Sequence, residues 1–357
     1  VGLFVVAVIL GSWDQTGPTI VRMEATPSAG SLQWVPDPDD APTLVDVETG
    51  RQTRVPLPIG DVLSELSSAP NLDMQGRRLV VGRWAEVMGI SIGALGQRFG
   101  LARVALPSGD VLDRVPTEIL PISPPCWYPS STSRILFTSG DGRLYQFDFA
   151  NVDNSGGGEE TRVPKPITWR EQPPSDKVMM LHPCWPTGSG FENRLLVSLA
   201  VRDESAQVLR MTPFQLWWLR LDPTGTEIVA CGRLIDRPPE MEQLRPTVAR
   251  TPEGSFLLAY HSRRAPQTGW RLRVTNVRFD PETDHPTADR GWTLEQLDKS
   301  SPITLSADGQ WLARVDQSVV TSPRVVRRRV PRAQVALNSV PDRTPNPEND
   351  RQESPGE

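Results

Sequence analysis

Pro246-Thr-Val-Ala249, the turn Thr251-Pro-Glu-Gly254, Ser255-Phe-Leu-Leu-Ala-Tyr260, Trp270-Arg-Leu-Arg-Val-Thr-Asn-Val277 and Trp292-Thr-Leu-Glu-Gln-Leu297 follow one another within 52 residues. Each is a short apolar or alternating run bounded by turn residues, which is the signature of a strand. The same order recurs upstream. Residues 183–235 hold Pro183-Cys-Trp185, Leu195-Leu-Val-Ser-Leu-Ala-Val201, Phe214-Gln-Leu-Trp-Trp-Leu-Arg-Leu221 and Glu227-Ile-Val-Ala-Cys231. Residues 125–169 hold Pro125-Cys-Trp127, Arg134-Ile-Leu-Phe-Thr138, Arg143-Leu-Tyr-Gln-Phe-Asp-Phe149 and the stretch from Arg162-Val-Pro164 onward. Unit starts at 71, 125, 183, 246 and 302 lie 54, 58, 63 and 56 residues apart. A strand-only repeat of this length predicts an all-β chain folded as a β-propeller, because a four-stranded blade cannot bury its own faces and must stack on neighbours.

Working outward gives blades at about 18–58, 71–120, 125–169, 183–235, 246–297 and 302–331. The last contains Pro302-Ile-Thr-Leu-Ser-Ala-Asp-Gly-Gln-Trp-Leu-Ala-Arg314, two strands joined by an Asp-Gly turn. Six four-stranded blades is the expectation, and five closed by N-terminal strands is the alternative, since the last unit is thin. Arg-Val-Pro recurs at 54, 114, 162 and 329. Proline lacks a ladder donor, so these copies belong at an outer blade edge.

Composition agrees with a turn-rich chain and excludes several functions. With 357 residues, 27 Gly, 36 Pro and 38% apolar residues, a helical bundle is excluded. A net charge of −5 supplies no overall basic field for phosphate neutralisation, so nucleic acid is not an expected partner. Cys126, Cys184 and Cys231 are too few and too far apart for a zinc ribbon or a disulfide scaffold. No cofactor is expected. Residues 1–13 are apolar and are read as a signal or membrane-anchor segment, with a buried first strand as the alternative. The run is shorter than the roughly 18 residues that identify a span, and a basic flank and a small-residue cleavage site are not seen. Residues 14–17 form a linker. Residues 332–357 are polar and proline-rich and are expected to form a disordered tail.

Ser306-Ala-Asp-Gly-Gln-Trp-Leu-Ala313 and Leu44-Val-Asp-Val-Glu-Thr-Gly50 resemble the blade pattern of TolB-like and WD-like bacterial propellers. That resemblance implies protein binding or scaffolding, while the apolar N-terminal segment puts the expected location outside the cytoplasm, anchored in the periplasm or at the cell surface. The units at 125 and 183 depart from the pattern. Thr287-Ala-Asp-Arg-Gly-Trp-Thr-Leu294 is similar to the Asp-box of sialidase-type propellers. The similarity implies a structural turn between third and fourth strands, with Thr287, Asp289, Gly291 and Thr293 in the motif positions and Asp289 capping backbone donors.

No catalytic constellation emerges. Tyr128, Tyr145 and Tyr260 fall in or beside strands and read as packing. His182, His261 and His285 lack the close spacing of a metal pair, so no metal site is expected. In a propeller, the connection entering an inner strand and the one joining second to third strands share a face. His182, Arg202, Asp203, Glu204, His261, Arg263 and Arg264 are therefore expected on one rim, from adjacent blades, as the candidate binding surface; a solvated charged surface is the bland alternative. Trp217 and Trp218, being neighbours in a strand, should point to opposite faces and pack between blades. Cys126 and Cys184 are expected as buried thiols.

The expected function is a noncatalytic propeller whose rim meets a protein partner or the cell envelope, with the membrane reached through the N-terminal segment. The alternatives are a secreted sialidase-like hydrolase and the extracytoplasmic sensor domain of a larger membrane protein. The sequence sets no oligomeric state.

Overall fold

A computed structural model describes residues 119–331 apart from connecting stretches, the longest being 153–162, 203–210 and 317–323. Before them it describes 32–35, 43–47, 49–54, 71–72, 78–83, 99–105 and 111–117. The apolar segment 1–13, the linker and the tail 332–357 lie outside the described residues, as do Asp203 and Glu204. Among the described residues no helix is long and apolar enough to cross a membrane.

The chain is all-β. It forms β1 (Leu32–Val35), β2 (Thr43–Asp46) and β3 (Gln52–Arg54), then β4 (Asn71–Leu72), β5 (Arg78–Arg83), β6 (Phe99–Ala105) and β7 (Val111–Thr117). A third sheet holds β8 (Cys126–Trp127), β9 (Arg134–Thr138), β10 (Leu144–Asp148) and β11 (Lys165–Pro166). A fourth holds β12 (Thr168–Trp169), β13 (Val178–Cys184), β14 (Arg194–Val201), β15 (Gln215–Leu221) and β16 (Glu227–Arg233). The fifth holds β17 (Met241–Arg250), β18 (Phe256–Arg264), β19 (Trp270–Phe279), β20 (Pro286–Ala288) and β21 (Trp292–Leu297). The last holds β22 (Ile303–Leu305), β23 (Trp311–Asp316) and β24 (Arg324–Arg329). Two of these sheets have four strands and two have five, enough for a full blade, and β1–β3 and β22–β24 have three each.

The sheets stack face to face. β8 touches β4, β13 touches β9, β17 touches β13, β14 and β15, and β22 touches β17 and β18. Each first strand thus lies across the preceding sheet, which is a propeller arrangement. Burial on both faces explains why the strands read as nearly continuous apolar runs. In β14, Leu195, Val197 and Leu199 pack with Met180 of the same sheet and with Cys126, Tyr128 and Leu136 of the preceding blade. Leu196 faces the other way, with Phe256, Leu258 and Tyr260. Trp217 and Trp218 divide between the same two clusters, on opposite faces.

Two placements differ from the sequence reading. The inner strands begin before their prolines, β13 at Val178 and β17 at Met241. Pro183 and Pro246 sit instead inside one-residue bulges, between Leu181 and Cys184 and between Leu244 and Thr247. A bulge leaves one residue unpaired, and this is where proline is tolerated inside a ladder. The outer strand expected through 162–169 is also split. Only Lys165–Pro166 pairs with β10; Thr168–Trp169 crosses to run parallel to β16 of the next sheet.

Candidate functional site

Register fixes the rim. Val178 opposes Val201 and Met241 opposes Arg264, so the start of each inner strand and the end of each second strand lie together. Arg202, just past β14, donates to Asp176 at 2.9 Å. Its hydrogen bond is the main cause that holds the Asp176 carboxyl below its ordinary range. Arg264 pairs with Glu240 at 2.9 Å. Arg263 pairs with Glu242 at 2.6 Å and lies 4.4 Å above the Trp270 ring. All three arginines therefore present a guanidinium beside a carboxylate supplied by the adjoining inner strand or its approach. Such exposed pairs contribute little stability, about 0–1 kcal/mol each, and they leave a surface of alternating charge.

The two histidines do not join them. His182 lies within β13, in the bulge, with a left-handed φ of 52°. Arg245 holds the equivalent place in β17 with φ 56°. Both directly precede proline, which ordinarily forces an extended conformation, so both bulges are strained. His261 sits opposite Leu244 in β18, has no exposed surface, and meets the Trp270 ring edge-on at 6.2 Å. A strand residue there points into the sheet interface, so His261 is a core residue rather than a rim residue.

These residues form a cluster of their own. Arg245 donates from Nε to Ser300 Oγ at 3.2 Å. Burial, then the Arg245 charge, then His261 push the His182 imidazole well below its ordinary pKa. Burial and Arg245 push His261 down to about 3, with Arg314 adding to the effect and the Ser301 backbone opposing it. Burial lowers the Arg245 guanidinium to about 10. Both imidazoles are neutral at pH 7. His182 and Arg245 lie deep among the inner strands yet keep part of their surface accessible. Within the cluster, His182 Nδ1, both ring nitrogens of His261 and Ser301 Oγ are buried and have no partner within hydrogen-bonding geometry. Gln243 and Ser262, cross-strand partners of each other, lie on the opposite face of the sheet from His261, where Gln243 Oε1 accepts from the Leu216 backbone at 3.0 Å. Sequence held one signal for this cluster: the repeated triplets Leu181-His182-Pro183 and Leu244-Arg245-Pro246.

The Asp-box-like stretch also sits elsewhere than the resemblance implied. β20 and β21 both pair with β19, so Thr287–Thr293 forms a single fourth strand broken at Asp289–Gly291. The turn between third and fourth strands is Asp280–His285, where Asp280 accepts from the backbone N–H groups of Glu282 and Thr283 at 2.8 Å each. Thr287 and Thr293 are exposed, and Asp289 accepts from Asn276 Nδ2 at 3.2 Å. Strand pairing of residues 286–288 with β19 consumes the backbone that a true Asp-box would fold into its turn.

The cysteines are free thiols. Cys126 is buried and Cys184 half-buried; burial raises both, Cys184 to about 12, so neither is a thiolate at neutral pH. No group of three or more His, Cys, Asp or Glu with metal-binding geometry occurs among the described residues.

The fold defines the chain as a protein of the β-propeller class. No family model and no curated protein matches its sequence. Among solved structures it is similar to a GH74 xyloglucanase from Xanthomonas campestris, at 10% identity and TM-score 0.42, covering 89% of this chain and 45% of that one. This chain thus spans less than half of that enzyme's length. It is similar to an arabinanase from Bacillus subtilis at 11% identity and TM-score 0.42, covering 76% and 96%. It is also similar to a TolB protein, described as putative, from Agrobacterium tumefaciens at 14% identity and TM-score 0.33, covering 85% and 98%. At these identities and scores no activity is carried over.

Proposed function

We propose that the chain is a noncatalytic six-bladed propeller that presents the rim around Arg202, Arg263 and Arg264 to a protein partner. It would act outside the cytoplasmic membrane, held there by residues 1–13. The observation that carries the reading is the rim: arginine–carboxylate pairs repeat at the same end of two adjacent blades, Arg202–Asp176 and Arg264–Glu240 open to solvent and Arg263–Glu242 half-buried beside them. Alternating charge on a rigid scaffold gives a partner orientation and specificity more than raw affinity. The second to sixth sheets touch in chain order and β1 touches β22, β23 and β24 of the last sheet, which supports closure as six blades.

A glycoside hydrolase on this fold would need two carboxylates flanking the scissile bond. Among the described residues the inner-strand cluster offers histidine, arginine and serine instead. Buried or half-buried carboxylates are engaged elsewhere, Asp222 within its turn and Glu295 with Arg314. This favours the binding reading over the enzymatic one.

The test is crosslinking and affinity capture from the native envelope fraction, comparing the full chain with its R202E/R264E variant. A protein retained by the native chain and lost by the variant is the expected result. Identical capture by both chains would overturn the rim assignment, and hydrolysis of a polysaccharide by the purified chain would overturn the noncatalytic one.

A further inference from the structure

Three successive sheets contribute to one buried polar cluster: His182 from β13, Arg245 and His261 from β17 and β18, and Ser300 and Ser301 on the approach to β22. We propose that this inner-strand cluster binds an oxyanion, a carboxylate or phosphate group carried on a small ligand. The inference goes beyond the rim and stands independently of it.

Donor count is the first argument. Two imidazoles, each offering one N–H donor when neutral, and the Ser301 hydroxyl each hold a buried polar atom with no partner. An unsatisfied buried donor costs about 1–3 kcal/mol. Native folds rarely leave several in one place without water or a ligand to supply the partners. Charge is the second. The Arg245 guanidinium lies within the cluster and Arg314 acts on it from β23. Burial is the larger cause that keeps both imidazoles neutral, but Arg245 adds to it at each, and Arg314, itself paired with Glu295 and Asp316, adds to it at His261, a positive local contribution suited to an anion. Backbone is the third. The left-handed bulges at His182 and Arg245 are retained at a cost of about 1–3 kcal/mol each, as occurs where geometry serves a site. Access is the fourth, since His182 and Arg245 keep some exposed surface while their neighbours are sealed.

The chain has three histidines, so imidazole resonances report the site directly. His285, exposed in the Asp280–His285 turn, is the internal control. Long-range 1H–15N spectra of the full chain are recorded while inorganic phosphate, and separately acetate, is added to about 50 mM, a range that detects millimolar affinity. His182 and His261 are expected to shift saturably while His285 does not. Response to phosphate alone, to acetate alone or to both identifies the group the site accepts. R245Q is expected to weaken binding at least about tenfold, the effect of losing one charge-assisted hydrogen bond. H182N, which tolerates the left-handed backbone, gives the same weakening and serves where R245Q does not fold. The proposal is overturned if neither anion moves His182 and His261 more than His285, or if the folded variants bind with unchanged affinity.

Discussion

Replacing Asp284 should loosen the junction between the fourth and fifth sheets. Its carboxylate accepts from Arg194 Nε at 3.0 Å, again from Arg194 Nη2, and from Arg220 Nη1 at 2.7 Å. Arg194 also lies 4.7 Å above Phe279, which meets Trp218 edge-on at 5.7 Å. The side chains of Arg194 and Asp284 are 21% and 20% exposed, between the surface and buried limits. Exposed pairs contribute about 0–1 kcal/mol, and removing one partner of a buried pair costs about 3–5 kcal/mol. A loss of about 2 kcal/mol is expected for the network. Asp284 is also left-handed, φ 58°; alanine there adds about 1 kcal/mol of strain that glycine does not. Asp284→Ala should therefore cost about 3 kcal/mol and Asp284→Gly about 2 kcal/mol, with Tm falling roughly 2–4 °C per kcal/mol. Urea denaturation followed by tryptophan fluorescence, with calorimetry for Tm, measures both. A double-mutant cycle with Arg194→Ala should return about 1–2 kcal/mol of coupling. A coupling near zero, or a cost below about 0.5 kcal/mol for Asp284→Ala, would refute the view that this ion pair joins the sheets.

Acid should destabilise the protein before its carboxylates titrate. The unfolded His261 takes a proton near pH 6.5 while the folded one, facing Arg245 and Arg314, stays neutral to about 3. Its contribution is thus complete above about pH 6.5 and is lost progressively below it; His261→Gln should flatten the fall in Tm between about pH 7.5 and 5, and an unchanged slope would contradict this. For Asp222, burial raises the pKa but bonds from the Thr224 hydroxyl and the backbone of Glu227, Thr226 and Thr224 outweigh it, holding the carboxyl at about 2. That stabilisation is full above the unfolded value near 3.9 and is lost toward about 2, so Asp222→Asn should show a shallower Tm decline across that window in calorimetry. Gly291 has φ 65°, and a Cβ there would lie 2.7 Å from the Val274 carbonyl oxygen. Gly291→Ala should cost about 2–4 kcal/mol, whereas Gly269→Ala, which meets nothing within 4 Å, should change urea stability by less than about 0.5 kcal/mol.

Strand order was legible wherever apolar runs alternated with turn chemistry. β18, β19 and β21 fall on the runs at 255–260, 270–277 and 292–297, and the Asp308-Gly309 turn joins β22 to β23 with Gly309 at φ 67°. The inner strands were misplaced for a definite reason. Proline cannot donate to a ladder and so reads as a strand start in sequence, yet a bulge solves that problem without ending the strand. The error carried over to function. It put His182 in a connection and left Arg245 unnoticed, although the two Leu-X-Pro triplets are visible in sequence. His261 was misassigned because a polar residue near the end of a run was read as its exposed terminus. No local pattern separates that from a buried polar position, which is decided by the facing sheet.

Arg194 also shows why the inner-strand cluster can exist at all. Apolar stacking between sheets is nearly non-directional, so it fixes neither the angle nor the slide of one blade on the next. Directional bonds supply that constraint at equivalent places. Arg134, which opens β9, donates to the Thr224 carbonyl at 2.7 Å in the next sheet's third-to-fourth turn and lies 4.5 Å above Tyr128. The Tyr128 hydroxyl donates to the Gly225 carbonyl at 3.1 Å. Arg194, which opens β14, reaches Asp284 in the corresponding turn one sheet further on. In both pairs the first residue of a second strand holds the outer turn of the following sheet. These clamps act near the periphery, and a small rotation there becomes a displacement of the inner strands. A site assembled from His182, Arg245 and Ser301 on three successive sheets needs that rotation fixed to within a hydrogen bond's tolerance, a few tenths of an ångström.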